Sequence, residues 1–299
     1  MPAVPDEVRE FEAQRPRLFA LAYRLLGSAS EAEDAVQDTF LRWNGVDRAA
    51  VVTPAAWLAK VVTNLCLNRL TSASARRENY VGPWLPEPML TADSSLGPME
   101  TVEQRESVSL ALLVLLERLT PAERAVFVLR EAFTYSHREI ADILELTEAN
   151  SQQLYRRARA HVGQERLRFD VSRDQGRRIA ERFLAAARGG DLAGLERMLA
   201  ADVVAWADGG GKAPAARRPV RGAEQVARYL SGWMSRPLPG LEIAVAEVNG
   251  QPGILGVAGG RLLAVMVLEL TGGRVSAVRT IANPDKLSFI SAQLSRLQV

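Results

Sequence analysis

The chain has 299 residues, 47% of them hydrophobic, which is enough for two or three separate cores. Net charge is +2, so bulk charge does not announce nucleic acid. The one cysteine, Cys66, excludes an intrachain disulfide and a cysteine-based zinc site. With His137 and His161 as the only histidines, neither a metal site nor a cofactor is expected. No apolar run approaches the roughly 20 residues of a membrane span, and the N-terminus is too charged for a signal peptide, so a soluble cytoplasmic protein is expected.

Residues 8–80 read as helices. Phe11, Leu18, Leu21, Ala22 and Leu25 recur at helical steps, and Gly27 ends that helix. Ser30 with Glu33 predicts a capping box that opens a second helix, with Ala32, Val36, Thr39, Phe40 and Trp43 on its apolar face. Thr53-Pro54 predicts the start of a third helix running to about Leu70. Residues 82–100 are rich in proline and glycine and read as a linker, although Trp84-Leu85-Pro86-Glu87-Pro88 is too apolar for a mere spacer. Residues 101–168 are helical again. Thr120-Pro121-Ala122-Glu123 and Ser136-His137-Arg138-Glu139 are capping boxes. A short helix, a break at Leu146-Thr147-Glu148 and a basic second helix make a helix-turn-helix. From 172 onward helices give way to alternating β segments near 241–248, 253–257, 261–270 and 274–281. Asn249-Gly250, Gly259-Gly260 and Gly272-Gly273 separate them as hairpin turns, which predicts an α+β domain with a curved sheet.

Charge is patterned along the chain. Pro54–Tyr80 carries net +3 and Ser151–Arg168 net +4, whereas Asp6–Asp47 carries net −4 and Glu87–Glu148 net −7. Two basic islands in an acidic background suit two separate DNA contacts, with the rest facing a protein partner; solvated helix faces would look the same. The region after 172 has seventeen basic residues against eleven acids, and opposite signs favour contact with the acidic N-terminal half.

The stretch Ala32-Glu33-Asp34-Ala35-Val36-Gln37-Asp38-Thr39-Phe40-Leu41-Arg42 resembles the polymerase-binding helix of the sigma-70 family, extracytoplasmic-function branch. Pro54-Ala55-Ala56-Trp57-Leu58 through Asn64-Leu65 resembles the next helix of that family. Leu119-Thr120-Pro121-Ala122-Glu123-Arg124, Glu139-Ile140-Ala141 and Tyr155-Arg156-Arg157-Ala158-Arg159 resemble its second helical domain. The match covers roughly residues 8–168. Trp84-Leu85-Pro86-Glu87-Pro88, Asp208-Gly209-Gly210-Gly211-Lys212 and Asn283-Pro284-Asp285-Lys286-Leu287 resemble the subgroup whose C-terminal extension is similar to a SnoaL or nuclear-transport-factor-2 cone. The chain departs from the pattern at Glu145, where many relatives have glycine, and at Ser151, where many have an apolar residue.

The resemblance implies two all-α helical sigma domains, the second with the helix-turn-helix, followed by an α+β cone. The boundaries are a region 2 domain at 1–81, a linker at 82–104, a region 4 domain at 105–169 and the cone at 173–299. It implies a promoter-specificity factor that binds bacterial core RNA polymerase and promoter DNA, is monomeric when free, and is tuned by its own extension. Asp34, Gln37, Asp38, Phe40, Leu41 and Trp43 would meet the polymerase. Trp57, Lys60, Asn64, Asn68, Arg69, Arg76 and Arg77 would hold the minus-ten element. Ser151, Gln152, Gln153, Tyr155, Arg156, Arg157 and Arg159 would read the minus-thirty-five element. The linker, glycine-rich and terminal motifs would make the regulatory interdomain contacts. Two alternatives stand beside this reading: a small-molecule ligand in the cone that gates the factor, or an enzyme fused to a DNA-binding module. Residues 172–299 hold no histidine for an Asp–His pair, which leaves Asp202, Asp208, Glu242 or Glu247 as candidate acids; no catalytic residue is assigned.

Overall fold

The computed structural model describes residues 6–77, 80–91, 106–163, 171–236 and 238–297. These divide into two compact units. One holds residues 6–77, 106–108 and 112–163; the other holds 80–91, 109–111 and the residues from 171 onward. Among the described residues no helix is long and apolar enough to cross a membrane.

The first unit is helical. α1 (Asp6–Leu26) stops where Gly27 takes φ 65 and its amide bonds the Tyr23 carbonyl at 2.8 Å. α2 (Ala29–Gly45) follows at once, capped by Ser28, whose hydroxyl accepts the Glu31 amide at 3.1 Å. The predicted Ser30–Glu33 box is therefore corrected. The turn at Gly27 is so tight that Ser28 already stands outside the helix, and Ser30 falls in its first turn. A short turn at Arg48–Ala50 leads to α3 (Pro54–Arg77), which runs a further two turns beyond the Leu70 expected. α1, α2 and α3 pack pairwise around Leu21, Leu25, Val36, Trp43, Leu58 and Val62, all 2% exposed or less. Full burial of such side chains stabilises by roughly 1.5–3 kcal/mol each.

After α4 (Leu110–Leu116), both predicted capping boxes form. Thr120 with Glu123 opens α5 (Pro121–Glu131), and Ser136 with Glu139 opens α6 (His137–Leu144). Glu145 closes α6 in the left-handed conformation, and Thr147 caps α7 (Glu148–Val162). α7 packs on α5 and α6, while α5 and α6 also pack on α3.

The second unit begins with α8 (Arg173–Gly189) and α9 (Leu192–Met198). β1 (Leu199–Asp208), β2 (Val220–Arg221), α10 (Ala223–Met234), β3 (Leu241–Val248), β4 (Gln251–Ala258), β5 (Arg261–Thr271), β6 (Arg274–Ile281) and α11 (Pro284–Leu297) follow. The sheet order is β2-β1-β6-β5-β4-β3, antiparallel throughout except for the parallel β1–β6 pair. Asn249-Gly250, Gly259-Gly260 and Gly272-Gly273 all take positive φ at both residues, so the three predicted hairpins close with turns that match strand twist. Register shifts in the β1–β6, β4–β5 and β5–β6 pairs, with the extra residues on β1, β5 and β6, bend the sheet. One face packs on α8, α9 and α10 through Phe183, Leu195, Leu230, Ile254, Leu268 and Val278. Side chains alternate across a strand, so Trp206 and Asp208 point away from that core while Ala205 points into it.

Candidate functional surfaces

α2 separates its residues by helical phase. Asp34 and Gln37 are exposed and Leu41 is 62% exposed, a row at three- and four-residue steps. Asp38 lies on the same side, half-buried, and accepts from Arg69 at 2.8 Å. Phe40 is half-buried against the Phe11 ring, centroids 4.9 Å apart. Trp43 is corrected as a polymerase anchor. It is 1% exposed and packs on Trp57 at 5.6 Å, because it continues the inward stripe of Ala32, Val36 and Thr39.

On α3, Lys60, Asn64 and Asn68 stand four residues apart on one face. Asn68 is exposed and Asn64 half-buried. Lys60 Nζ lies 2.9 Å from Glu145 Oε1. Trp57 is half-buried on Trp43. Arg69 bridges Asp38 at 2.8 Å and Asp34 at 3.7 Å, so its charge is engaged by the acids of α2. Arg76 and Arg77 fall in the last turn of α3, and their side chains lie outside the described residues.

On α7, Gln152, Gln153, Arg156, Arg157 and Arg159 are exposed and form the outer face of the helix-turn-helix. Ser151 is corrected as a base contact. It is fully buried and its hydroxyl meets His137 Nδ1 at 3.0 Å, because positions 151, 158 and 162 form the buried stripe. Tyr155 is half-buried: its hydroxyl donates to Glu131, its ring meets His137 at 5.4 Å, and Arg159 lies over it at 5.9 Å. Burial, with the Arg130 charge second, holds the His137 pKa below its ordinary value.

In the second unit, residues 80–91 form a strap. Asp208, fully buried, accepts from the Leu85 amide at 2.8 Å, from Tyr80 Oη at 2.6 Å and from Lys286 Nζ at 2.7 Å. Lys286 also donates to the Leu85 carbonyl at 2.6 Å and sits between the rings of Trp84 at 4.2 Å and Tyr80 at 4.7 Å. Asn283 Nδ2 donates to Tyr80 Oη at 2.8 Å, and the Asn283 amide to the Asp208 carbonyl at 2.9 Å. Burial first, then the bond to Asp208, pushes the Tyr80 phenol pKa up. Leu85, Pro86, Glu87 and Pro88 are buried. Lys212 pairs with Asp285 at 2.5 Å, and Leu287 is buried. Two glycines of the Asp208–Lys212 turn are needed for close approach. A Cβ on Gly209 would lie 2.3 Å from the Ala213 carbonyl oxygen, and one on Gly210, at φ 57, 2.2 Å from Asn283 Nδ2.

The far end of the strap joins the sheet. Met89 and Asn249 exchange two bonds at 2.9 Å, Leu90 donates to Gln293 Oε1 at 3.0 Å, and Thr91 donates to the Glu247 carbonyl at 2.9 Å. Leu90 bridges Val248 in antiparallel fashion, covering the end of edge strand β3. The structure thus brings the three predicted motifs together. Sequence reasoning missed Tyr80, Asn249 and Gln293 as partners; the Asn-Gly pair was legible only as a turn. Of the candidate acids, Asp202 and Glu242 are exposed on the strands, Glu247 pairs with Arg173 at 3.2 Å, and both Asp208 oxygens are engaged. Among the described residues no group of three or more His, Cys, Asp or Glu side chains could hold a metal ion.

Comparison with known proteins fits this architecture. Residues 11–76 match the model for Sigma-70 region 2, and residues 109–162 that for Sigma-70, region 4. The chain is 40% identical over 292 residues to the ECF RNA polymerase sigma factor SigJ of Mycobacterium tuberculosis, covering 94% of this chain and 93% of the relative. It is 32% identical over 289 residues to the probable ECF RNA polymerase sigma factor SigI of that species, covering 95% and 96%. The crystal structure of M. tuberculosis SigJ superposes with a TM-score of 0.75 at 36% identity, covering 94% of this chain and 98% of that one. These relatives are initiation factors rather than enzymes, and their full-length match takes in both helical regions and the helix-plus-sheet extension. The chain therefore belongs to the sigma-70 family of RNA polymerase sigma factors, in its extracytoplasmic-function branch.

Proposed function

We propose that this sigma factor meets core RNA polymerase through the exposed α2 row of Asp34, Gln37 and Leu41, with Asp38 and Phe40 flanking it. It meets the minus-ten element through Lys60, Asn64 and Asn68 on α3, and the minus-thirty-five element through Gln152, Gln153, Arg156, Arg157 and Arg159 on α7. The exposed amides and guanidinium groups of α7 have the donors that base edges and phosphates take. Its own C-terminal unit tunes initiation by holding the strap. The observation that carries this reading is the bonding of residues 80–91, which connect regions 2 and 4 in the chain, to Asp208, Lys286, Asn249 and Gln293 of the C-terminal unit.

The test is run-off transcription with bacterial core polymerase on the DNA upstream of the protein's own gene. The full chain is compared with Asp208→Ala, which removes the acceptor shared by Leu85, Tyr80 and Lys286. Initiation by the full chain and an altered yield with Asp208→Ala support the reading. Initiation with identical yields would remove the regulatory part and leave the sigma function standing.

A further inference from the structure

Glu145 combines two features that the fold alone does not require. Its backbone lies at φ 57, ψ 45, the left-handed conformation that glycine adopts without a Cβ penalty, yet the residue is not glycine. Its carboxylate also reaches out of the helix-turn-helix to Lys60 Nζ, at 2.9 Å, on the first unit's α3. Lys60 heads the row Lys60, Asn64, Asn68, so the acid sits over one end of a surface read here as a promoter contact.

The contact belongs to a packed arrangement. α6 lies against α3, the Arg124 guanidinium donates to the Leu25 carbonyl at the end of α1 at 2.9 Å, and Arg24 donates to Ser107 Oγ at 3.0 Å. The two promoter elements lie about 25 base pairs apart, which at about 3.4 Å per pair is on the order of 85 Å of duplex. α7, which reads the second element, is packed on α6, and α6 on α3, so the helix-turn-helix must part from α3 before both elements are bound.

We infer that Glu145 is a built-in stand-in for promoter phosphate. In the closed chain it occupies Lys60, and DNA gains that ammonium only by displacing the helix-turn-helix turn. A carboxylate and a phosphate oxygen offer a lysine the same kind of partner. Both side chains are partly exposed, 38% for Lys60 and 74% for Glu145, so the clamp is weak and reversible by a polyanion.

The inference rests on the reading of Lys60 as a promoter contact, and the experiment separates the two. Promoter-fragment binding by the full chain with core polymerase is measured for wild type, Glu145→Gln, Lys60→Ala and the double variant. Glu145→Gln is expected to tighten binding about 2- to 5-fold, the range of an exposed ion pair, with a smaller gain at high salt. Lys60→Ala is expected to weaken binding, and Glu145→Gln to add nothing in that background. An equal gain in the Lys60→Ala background would mean simple repulsion between Glu145 and DNA, and would overturn the clamp. No gain, with Lys60→Ala still weakened, would overturn the clamp and keep Lys60 as a DNA contact. No effect of Lys60→Ala would remove both.

Discussion

Two ion pairs in the C-terminal unit come from the same two short motifs and differ greatly in what they are worth. Lys212–Asp285 is the shorter at 2.5 Å, but its side chains are 57% and 62% exposed. Water screens it, and such pairs contribute about 0–1 kcal/mol. Lys286–Asp208 is longer at 2.7 Å, with side chains 10% and 0% exposed. Neither partner can return to water without opening the strap. Asp208→Asn keeps the shape but removes the carboxylate charge that faces the buried Lys286 ammonium, and is expected to cost about 3–5 kcal/mol. Lys212→Met is expected to cost at most about 1 kcal/mol. Urea unfolding of the full chain, following the transition of the C-terminal unit, distinguishes these. Equal costs would show that proximity rather than burial sets the energy. Because Lys286→Met removes the charge that Asp208 faces, the double variant Asp208→Asn, Lys286→Met is expected to lose less than the sum of the singles.

At the scale of elements, most of the architecture was legible because it is local. Capping residues, glycine stops and two-residue hairpin turns act within four or five positions, so Thr120, Ser136 and Asn249-Gly250 could be read directly. Trp43 and Ser151 are assigned to contact surfaces by the family resemblance and not by periodicity, which already sets Trp43 on the apolar face with Ala32, Val36 and Thr39. Each lies on the inward stripe of its helix, while Leu41 and Gln152 lie on the outward one. What could not be read is pairing at long range: Tyr80 meets Asp208 across 128 positions and Leu90 meets Gln293 across 203, and no local period encodes either. The helix-turn-helix adds a titration. The His137 pKa is held below its ordinary value, by burial and then by Arg130, while its ring contacts Ser151 and Tyr155 of α7. A depressed histidine stays neutral in the folded element after the unfolded chain has bound a proton. The unfolded state therefore binds more protons as pH falls through about 6.5, and stability is lost in that direction. Hydrogen exchange across α6 and α7, corrected for intrinsic rate, is expected to show weaker protection at pH 5.5 than at 7.5. His137→Gln is expected to flatten that difference; an unchanged pH response in the variant would assign it to another group.

For the whole molecule, the strap changes what a domain deletion means. Leu85, Met89 and Leu90 are 1%, 0% and 3% exposed, within the same compact unit as the residues from 171 onward. Burial of side chains of this size is worth roughly 1.5–3 kcal/mol each. Cutting the chain after Asp170 removes Asp208, Glu247, Asn249, Asn283, Lys286 and Gln293, all of which hydrogen-bond the strap, and leaves its apolar residues without their cover. The truncated chain is therefore expected to bind a hydrophobic fluorescent dye more strongly than the full chain, and to be cut by chymotrypsin near Trp84 and Leu85, where the full chain resists. A full-length Leu85→Ala, Met89→Ala variant is expected to be cut there as readily while binding less dye than the truncation, because it loosens the strap and shrinks the apolar surface together. If the truncated chain resists cleavage and binds no more dye than the full chain, the strap has a second resting place and its burial does not depend on the C-terminal unit. If it behaves as expected, a loss of transcription on truncation mixes exposed surface with lost regulation. The full-length substitutions, which keep the C-terminal unit and leave less apolar surface open, then separate the two.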